Sequence, residues 1–282
     1  MTEPYVPSAQ LANALVLAGN RGGNDTIASL TGVSHKAMAP INGVPMLVRL
    51  WRCLSACPAI DKIYVCIDGA ELLTGIGELA AALQSGRLTI VPPAASPAAS
   101  VASALSEIGL ERPLLVTTAD HPLLTAEMIH HFLQVAAEET EERDFVVALA
   151  EIEMIRSAYP DAIRTGYKLG RKSYSGCNLF LARRPAATRL AAFWRRMERF
   201  RKKPWRLILA VGPFALLRFG CGWLNLDAAV RHLSRKTGVK IGVVEMPFAE
   251  AAIDVDKPAD YALVTSILQQ REGDQAPEAA SL

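Results

Sequence analysis

Several things are scarce in this 282-residue chain, and each scarcity closes off a class of protein. Charge of one sign is scarce: 30 Lys and Arg face 28 Asp and Glu, a formal net +2. No global basic field therefore recommends nucleic acid as a partner. Cysteine is scarce too. The five (Cys53, Cys57, Cys66, Cys177, Cys221) are odd in number, show no C-x2-C spacing for zinc and fit no disulfide framework. Cys53 and Cys57, four apart in a leucine-rich helical run, read as reduced and buried. The apolar run Leu207–Leu217 has 11 residues broken by Gly212-Pro213, well short of the about 20 that a membrane-spanning helix needs. The opening MTEPYVPSAQ lacks a basic region followed by an apolar one, so no signal peptide is expected and a reducing cytoplasm fits best. No Gly-Lys-Ser/Thr closes a P-loop and no G-x-G-x-x-G is present. The five histidines (His35, His121, His130, His131, His232) have no partnered nucleophile spacing.

What is there reads as a packed α/β protein. Hydrophobic residues make up 51% and charged residues 21%, and a chain of this length buries roughly 75% of its unfolded surface. Short apolar runs at 14–18, 62–67, 88–91 and 113–119 read as buried strands, each ending in Gly, Asp or Pro. Helices are expected at about 45–56, 99–109 and 126–138, the last capped by Thr125. Strands follow at 144–150, 178–182 and 240–245, then 253–256 and a helix to about 270. Strand alternating with helix through the first 150 residues predicts a parallel sheet covered on both faces. The expected organisation is one domain over 1–270, a helical insertion at about 186–236, and a disordered tail at 271–282.

The insertion breaks the pattern. Phe193–Arg206 carries seven basic residues against one acid, and the apolar run comes directly after it. Three readings stand open: helices covering the sheet with a solvated basic face, an interfacial patch with Trp194, Trp205 and Trp223 against anionic lipid, or arginines gripping an anionic substrate.

Three separated features suggest a nucleoside triphosphate site at the carboxyl edge of the sheet. The first is Leu15-Val-Leu-Ala-Gly-Asn-Arg-Gly-Gly-Asn-Asp25 with Lys36 beyond it. A strand ending in a glycine-rich turn lets backbone N–H groups approach phosphate oxygens, and a lysine adds a point charge. The second is Asp120, where a strand stops and ligands of open α/β sheets sit; a turn or capping aspartate ahead of Pro122 is its competitor. The third is Asp254-Val-Asp256, two carboxylates on one side of a strand and suited to Mg²⁺, or else a turn in which Asp256 caps the helix that Pro258 opens.

Taken together, Leu17-Ala-Gly-x-Arg, Lys36 with Pro40-Ile-Asn-Gly-Val-Pro-Met46, Ala119-Asp-His-Pro-Leu-Leu124 and Asp254-Val-Asp256-Lys-Pro-Ala-Asp260 resemble the MobA-like NTP transferases. The resemblance covers about 12–182 and 239–268. It implies a Rossmann-like three-layer α/β/α fold with a mainly parallel central sheet. It also implies Mg²⁺-dependent transfer of an NMP from CTP or GTP to a phosphorylated sugar, polyol or alcohol, with release of pyrophosphate. By position, Leu17, Ala18, Gly19, Asn20, Arg21, Gly22 and Gly23 would hold the triphosphate with Lys36, and Ser96 and Ser100 would read base and ribose. Lys36, Arg21 and Asp120 would be catalytic; Asp120 and Asp256, with Asp254 as a third, would be metal ligands. Gly176 and Asn178 would touch the acceptor, a small molecule or a lipid-linked phosphate, with peripheral membrane contact through 193–224. One departure stands out: the family's loop carries a second arginine where this chain has Asn24. The alternatives are a nucleotide-sugar glycosyltransferase and a catalytically silent, membrane-associated scaffold.

Overall fold

The computed structural model describes residues 11–19, 25–138, 142–200 and 224–275. Its first strand, β1 (Ala12–Leu17), is buried along both faces, which is why it is apolar at every position but Asn13 rather than alternating. After it come α1 (Thr26–Thr31), a short 3₁₀ turn at Lys36–Met38, and the hairpin of β2 (Pro40–Ile41) and β3 (Val44–Pro45). Asn42 and Gly43 both have positive φ (50° and 78°), as a two-residue hairpin with right-handed strand twist requires. Next are α2 (Met46–Ala56), β4 (Ile60–Cys66), α3 (Glu71–Thr74), α4 (Gly77–Gln84), β5 (Leu88–Val91), α5 (Pro97–Ile108), β6 (Leu114–Thr118) and α6 (Ala126–Glu138). The second half holds β7 (Phe145–Glu151), α7 (Ile152–Ala158), β8 (Tyr167–Leu169), β9 (Lys172–Ala182), α8 (Ala187–Phe200), α9 (Leu226–Thr237), β10 (Ile241–Glu245) and α10 (Pro258–Gln275).

The eight-stranded sheet runs β10-β7-β9-β6-β1-β4-β5, with β8 paired to β9. All described pairs on the main path are parallel except those of β9, which is antiparallel to β6 and β7. Alternate residues of β1 serve different cores: Ala14 and Val16 face the side of α2, α6 and α10, whereas Leu15 faces the side of α5 and α8. The expected α/β/α layering with a mainly parallel sheet is the observed one. From β1 the chain winds outward through β4 to β5, then β6 returns to the other flank of β1. In open α/β sheets such a reversal marks the crevice where ligands sit, here beyond the carboxyl ends of β1 and β6.

Three expectations are corrected. Residues 253–256 are not a strand; they form an irregular turn after a 3₁₀ turn at Ala249–Ala252. Asp254 and Asp256 therefore do not share a strand face. Residues 271–275, expected to open the tail, are helical, because α10 runs on to Gln275; 276–282 lie outside the described residues. Arg271 pairs with Glu250 at 2.7 Å and Glu272 with Arg49 at 2.9 Å, so the chain is tied where fraying was expected. Finally, Asp256 does not cap α10. Asp260, in the first turn, reaches back with Oδ2 to the backbone N–H of Lys257 and Asp256 (3.0 and 3.1 Å), the reciprocal arm of a capping box.

Within 186–236, α8 packs on the sheet through Ala187, Leu190 and Ala191, all buried. Trp194 meets Phe180 edge-on at 5.4 Å. Residues 201–223, with Trp205, Trp223, Cys221 and the apolar run, lie outside the described residues. No helix among the described residues is long and apolar enough to cross a membrane.

Candidate active site

The crevice is built from strand ends. Ala119 N–H donates to Leu17 O and Ala18 N–H to Cys66 O, both at 2.9 Å, so the ends of β1, β4 and β6 are held level. Leu17 closes β1 and Ala18 is buried behind it. Gly19 then runs close to the loops after β4 and β5: a Cβ on it would stand 3.3 Å from Pro93 Cβ and 4.0 Å from Asp68 Oδ2. Asn20, Arg21, Gly22, Gly23 and Asn24 lie outside the described residues. Asp25, on the far side of that loop, caps α1, its Oδ1 accepting from Ile27 and Ala28 N–H (2.9 and 3.1 Å).

Three residues far apart in sequence meet across this opening. Lys36 Nζ donates to Asp120 Oδ2 and to Asp256 Oδ1, each at 2.8 Å. His35 fixes the lysine's turn: its Nδ1 accepts from Ala37 N–H at 3.1 Å. Asp120 lies two residues beyond β6, and its carbonyl accepts Val255 N–H at 2.9 Å, which docks the 254–256 turn beside the strand end. Asp120 lies in the turn that follows β6 but does not cap α6, because Thr125 Oγ1 is what accepts the Met128 N–H, at 3.2 Å. Burial opposes charge on both partners, but the ion pair outweighs it. The Lys36 ammonium is held above its ordinary pKa by Asp120 and Asp256, and the Asp120 carboxyl below its own by Lys36.

Asp254 stands behind this triad. Arg164, which sequence reasoning missed, donates Nη1 to Asp254 Oδ1 and Nη2 to Asp260 Oδ1. Asn178 Nδ2 donates to His121 Nε2 at 2.8 Å and lies 3.4 Å from Asp254 Oδ2. The backbone aims it there: four steps of β9 oppose two of β7 around residues 176–180, and Asn178 sits in that bulge with φ 49°, a left-handed conformation asparagine tolerates. Burial pushes the His121 pKa down, so its imidazole is neutral. Burial, with Asp120 and Asp256 nearby, pushes the Asp254 carboxyl up.

Other expected residues make local contacts of their own. Ser96 caps α5, accepting from Ala99 N–H at 3.3 Å, and the buried Ser100 Oγ accepts from Ala94 N–H at 2.8 Å. Both therefore shape the loop after β5. Gly176 is exposed on β9 opposite Leu149, and a Cβ there would meet nothing within 4 Å.

The cluster suits a hard divalent cation in one particular way. Asp120 Oδ1 is buried and has no well-formed hydrogen bond. Four carboxylates (Asp120, Asp254, Asp256, Asp260) are ion-paired with only two cations, Lys36 and Arg164. Yet no group of three His, Cys, Asp or Glu among the described residues forms a ready cage. Such a donor set fits Mg²⁺ held by one or two carboxylates and completed by substrate oxygens.

A family model described as a MobA-like NTP transferase domain matches residues 14–208. The chain belongs to this family. A 2-C-methyl-D-erythritol 4-phosphate cytidylyltransferase of Symbiobacterium thermophilum is 31% identical over 135 residues, 47% of this chain and 53% of that protein. The chain thus spans about half the length of the curated relative it matches. Among solved structures, a hypothetical transferase from Thermus thermophilus superposes with TM-score 0.72 at 25% identity, over 89% of this chain and 99% of that one. A CMP:2-keto-3-deoxy-manno-octonic acid synthetase complexed with CTP gives 0.55 at 12%, over 93% and 99% of the two chains. The 4-diphosphocytidyl-2C-methyl-D-erythritol synthase of Anaerococcus prevotii gives 0.55 at 11%, over 93% and 97%. The last two share the fold. This MobA-like chain is a nucleotidyltransferase by family.

Proposed function

We propose that the protein moves CMP from CTP to the phosphate of a small phosphorylated sugar, polyol or alcohol, releasing pyrophosphate, with Mg²⁺ bound. The observation that carries this reading is the Lys36–Asp120–Asp256 triad at the strand-order reversal. CTP is preferred over GTP because the relative of 31% identity is named a cytidylyltransferase.

In this reading the loop at Leu17–Gly23 and Lys36 bind the triphosphate, and the loop shaped by Ser96 and Ser100 receives base and ribose. Asp120 and Asp256, with Asp254 as a third, hold the metal, which supplies neutralisation of charge on the phosphates. An oxygen of the acceptor phosphate attacks the α-phosphorus, and the bond to the bridging oxygen of pyrophosphate breaks. A phosphate monoester is largely dianionic at pH 7, its second pKa being about 6, so the step requires no general base. The buried, neutral His121 is accordingly a scaffold for Asn178 rather than a proton acceptor. Lys36 and the loop amides neutralise and align the triphosphate, the electrostatic and positional help this reaction needs. Asn178 spends its amide N–H groups on His121 and Asp254, so its carbonyl oxygen is what it offers an acceptor hydroxyl, beside Gly176.

The same reading takes the chain as one nucleotidyltransferase unit with 186–236 inserted, working in the cytoplasm. The basic and tryptophan-rich stretch at 193–224 supports peripheral contact with anionic lipid and a lipid-linked acceptor; liposome flotation of the full chain and of a 193–224 deletion tests it. The reaction is tested by pyrophosphate release from each of the four NTPs with Mg²⁺, against a panel of phosphorylated sugars, polyols and alcohols. Release with CTP and one acceptor, abolished by Asp120→Asn, is expected. Near-wild-type turnover by that variant would remove Asp120 from the metal site, and an absence of NTP binding would remove the reading.

A further inference from the structure

Arg164 is a buried cation whose function no motif explains. It lies in the 159–166 segment between α7 and β8, and its side chain is 7% exposed, while its neighbour Ile163 points outward at 78%. A buried guanidinium is costly unless its charge is matched; Arg164 Nε has no hydrogen-bond partner among the described residues, so the compensation comes through the two Nη groups and their carboxylates. Here Nη1 donates to Asp254 Oδ1 and, at 3.1 Å, to the Asp254 carbonyl, while Nη2 donates to Asp260 Oδ1. Asp260 passes the restraint on, because its other oxygen accepts the backbone N–H groups of Asp256 and Lys257. One side chain therefore grips both ends of the Asp254–Asp256 turn.

The grip itself is anchored. At the start of the segment, Tyr159 OH donates to Glu250 Oε1 at 2.7 Å. At its end, Gly166 runs so close to Ile152 that a Cβ would stand 2.9 Å from Ile152 Cγ1. The turn is also docked on Asp120 through Val255 N–H. Asp256, whose own side chain is 60% exposed, has its backbone fixed by this chain of contacts while its carboxylate meets Lys36.

We propose that Arg164 is a positioning residue of the active site: it sets where Asp254 and Asp256 stand opposite Asp120 and Lys36, and thereby the affinity of the site for a divalent cation and its nucleotide. This rests on the nucleotidyltransferase reading above. Charge and position make opposite predictions. Removing a cation from a cluster rich in carboxylates tightens divalent binding if Arg164 acts by charge, and loosens it if Arg164 acts by placing the ligands.

The test measures Mn²⁺ binding by electron paramagnetic resonance, with and without CTP, in wild type, Arg164→Met, Arg164→Lys and Asp260→Asn. Hydrogen exchange of the 253–258 peptide and pyrophosphate release are followed alongside. Folded Arg164→Met is expected to bind Mn²⁺ about 10–100-fold more weakly in the CTP complex, the usual cost of losing a partner behind a metal ligand. Turnover falls by a similar factor while KM for CTP moves less, and the lysine variant recovers part of the loss. Exchange at 253–258 quickens while 114–118 is unchanged. Asp260→Asn leaves one acceptor oxygen where Arg164 Nη2 and the backbone N–H groups of Asp256 and Lys257 now use two; it breaks the link from Arg164 to Asp256, reproduces the effect and serves if Arg164→Met does not fold. Unchanged or tighter Mn²⁺ binding in either folded variant, or unchanged exchange at 253–258, overturns the positioning role. A wild type that takes up no Mn²⁺ with any NTP overturns the nucleotidyltransferase reading instead, and the metal half of this inference with it.

Discussion

A lysine shared by two carboxylates is the smallest unit from which this protein's chemistry can be argued. Lys36 keeps its charge although it is largely buried, because Asp120 and Asp256 each lie 2.8 Å away. In the proposed reaction the same ammonium serves phosphate oxygens. Replacing it with methionine keeps the stem and removes the charge, so kcat for pyrophosphate release is expected to fall about 10²–10³-fold, as when one transition-state donor is lost. A kcat within a few-fold of wild type would place Lys36 outside the reaction. The thiols behave in the opposite way, since burial is the largest influence on each and no ion pair among the described residues offsets it. Burial pushes Cys53 up to about 12 and raises Cys57, Cys66 and Cys177 as well, which depletes the reactive thiolate at pH 8. Iodoacetamide at that pH is expected to leave these four untouched in the folded protein and to label them in guanidinium, read peptide by peptide by mass spectrometry. Labelling of Cys177 in the native state would mean that β9 opens.

At the scale of elements, local signals and distant partners divide the legible from the illegible. Residues 126–138 read as a helix with Thr125 before it, and α6 has those bounds and that cap. Thr125→Ala should therefore cost about 1 kcal/mol, visible as a lower urea midpoint at unchanged slope; an unchanged midpoint would mean another group satisfies the Met128 N–H. The strands β1 and β5 were legible for the same kind of reason: an apolar run stops at Gly or Pro, and no other residue need be known. The antiparallel direction of β9 was not, because direction depends on which strands flank it. The 254–256 turn was misread because an alternating Asp-Val-Asp also satisfies a turn whose carboxylates are claimed by Arg164 and Lys36 from 90 and 220 residues away. Asp260 did carry a readable sign, an acid two residues after the Pro that opens a helix. Arg164 carried none, since an isolated arginine between Ile163 and Thr165 looks like any exposed loop residue. Lys36, Asp120 and Asp256 were singled out from motif order, and the fold brings them into contact. Ser96 and Ser100 were singled out in the same way, and each makes a contact that shapes its own loop.

At the scale of the whole molecule, acid should loosen the closure between α10, the 3₁₀ turn at Ala249–Ala252 and the segment after α7. Glu250 joins all three by accepting from Tyr159 OH and Arg271 Nη2, each at 2.7 Å. Burial alone would raise its pKa; the hydrogen bonds and the arginine outweigh that and hold it below the ordinary value of 4.5. A carboxyl whose folded pKa is depressed adds stability that is fully present above its unfolded pKa and is lost as pH falls through the lower, folded one. Asp120 acts in the same sense and Asp254, with its raised pKa, in the opposite sense, so the wild-type curve mixes several groups. Glu250→Gln isolates one. Its urea midpoint is expected to lie below wild type at pH 7, and the gap to close as both are taken from pH 5 to pH 3. A gap of constant size across that range would mean that Glu250 contributes through packing and not through its charge.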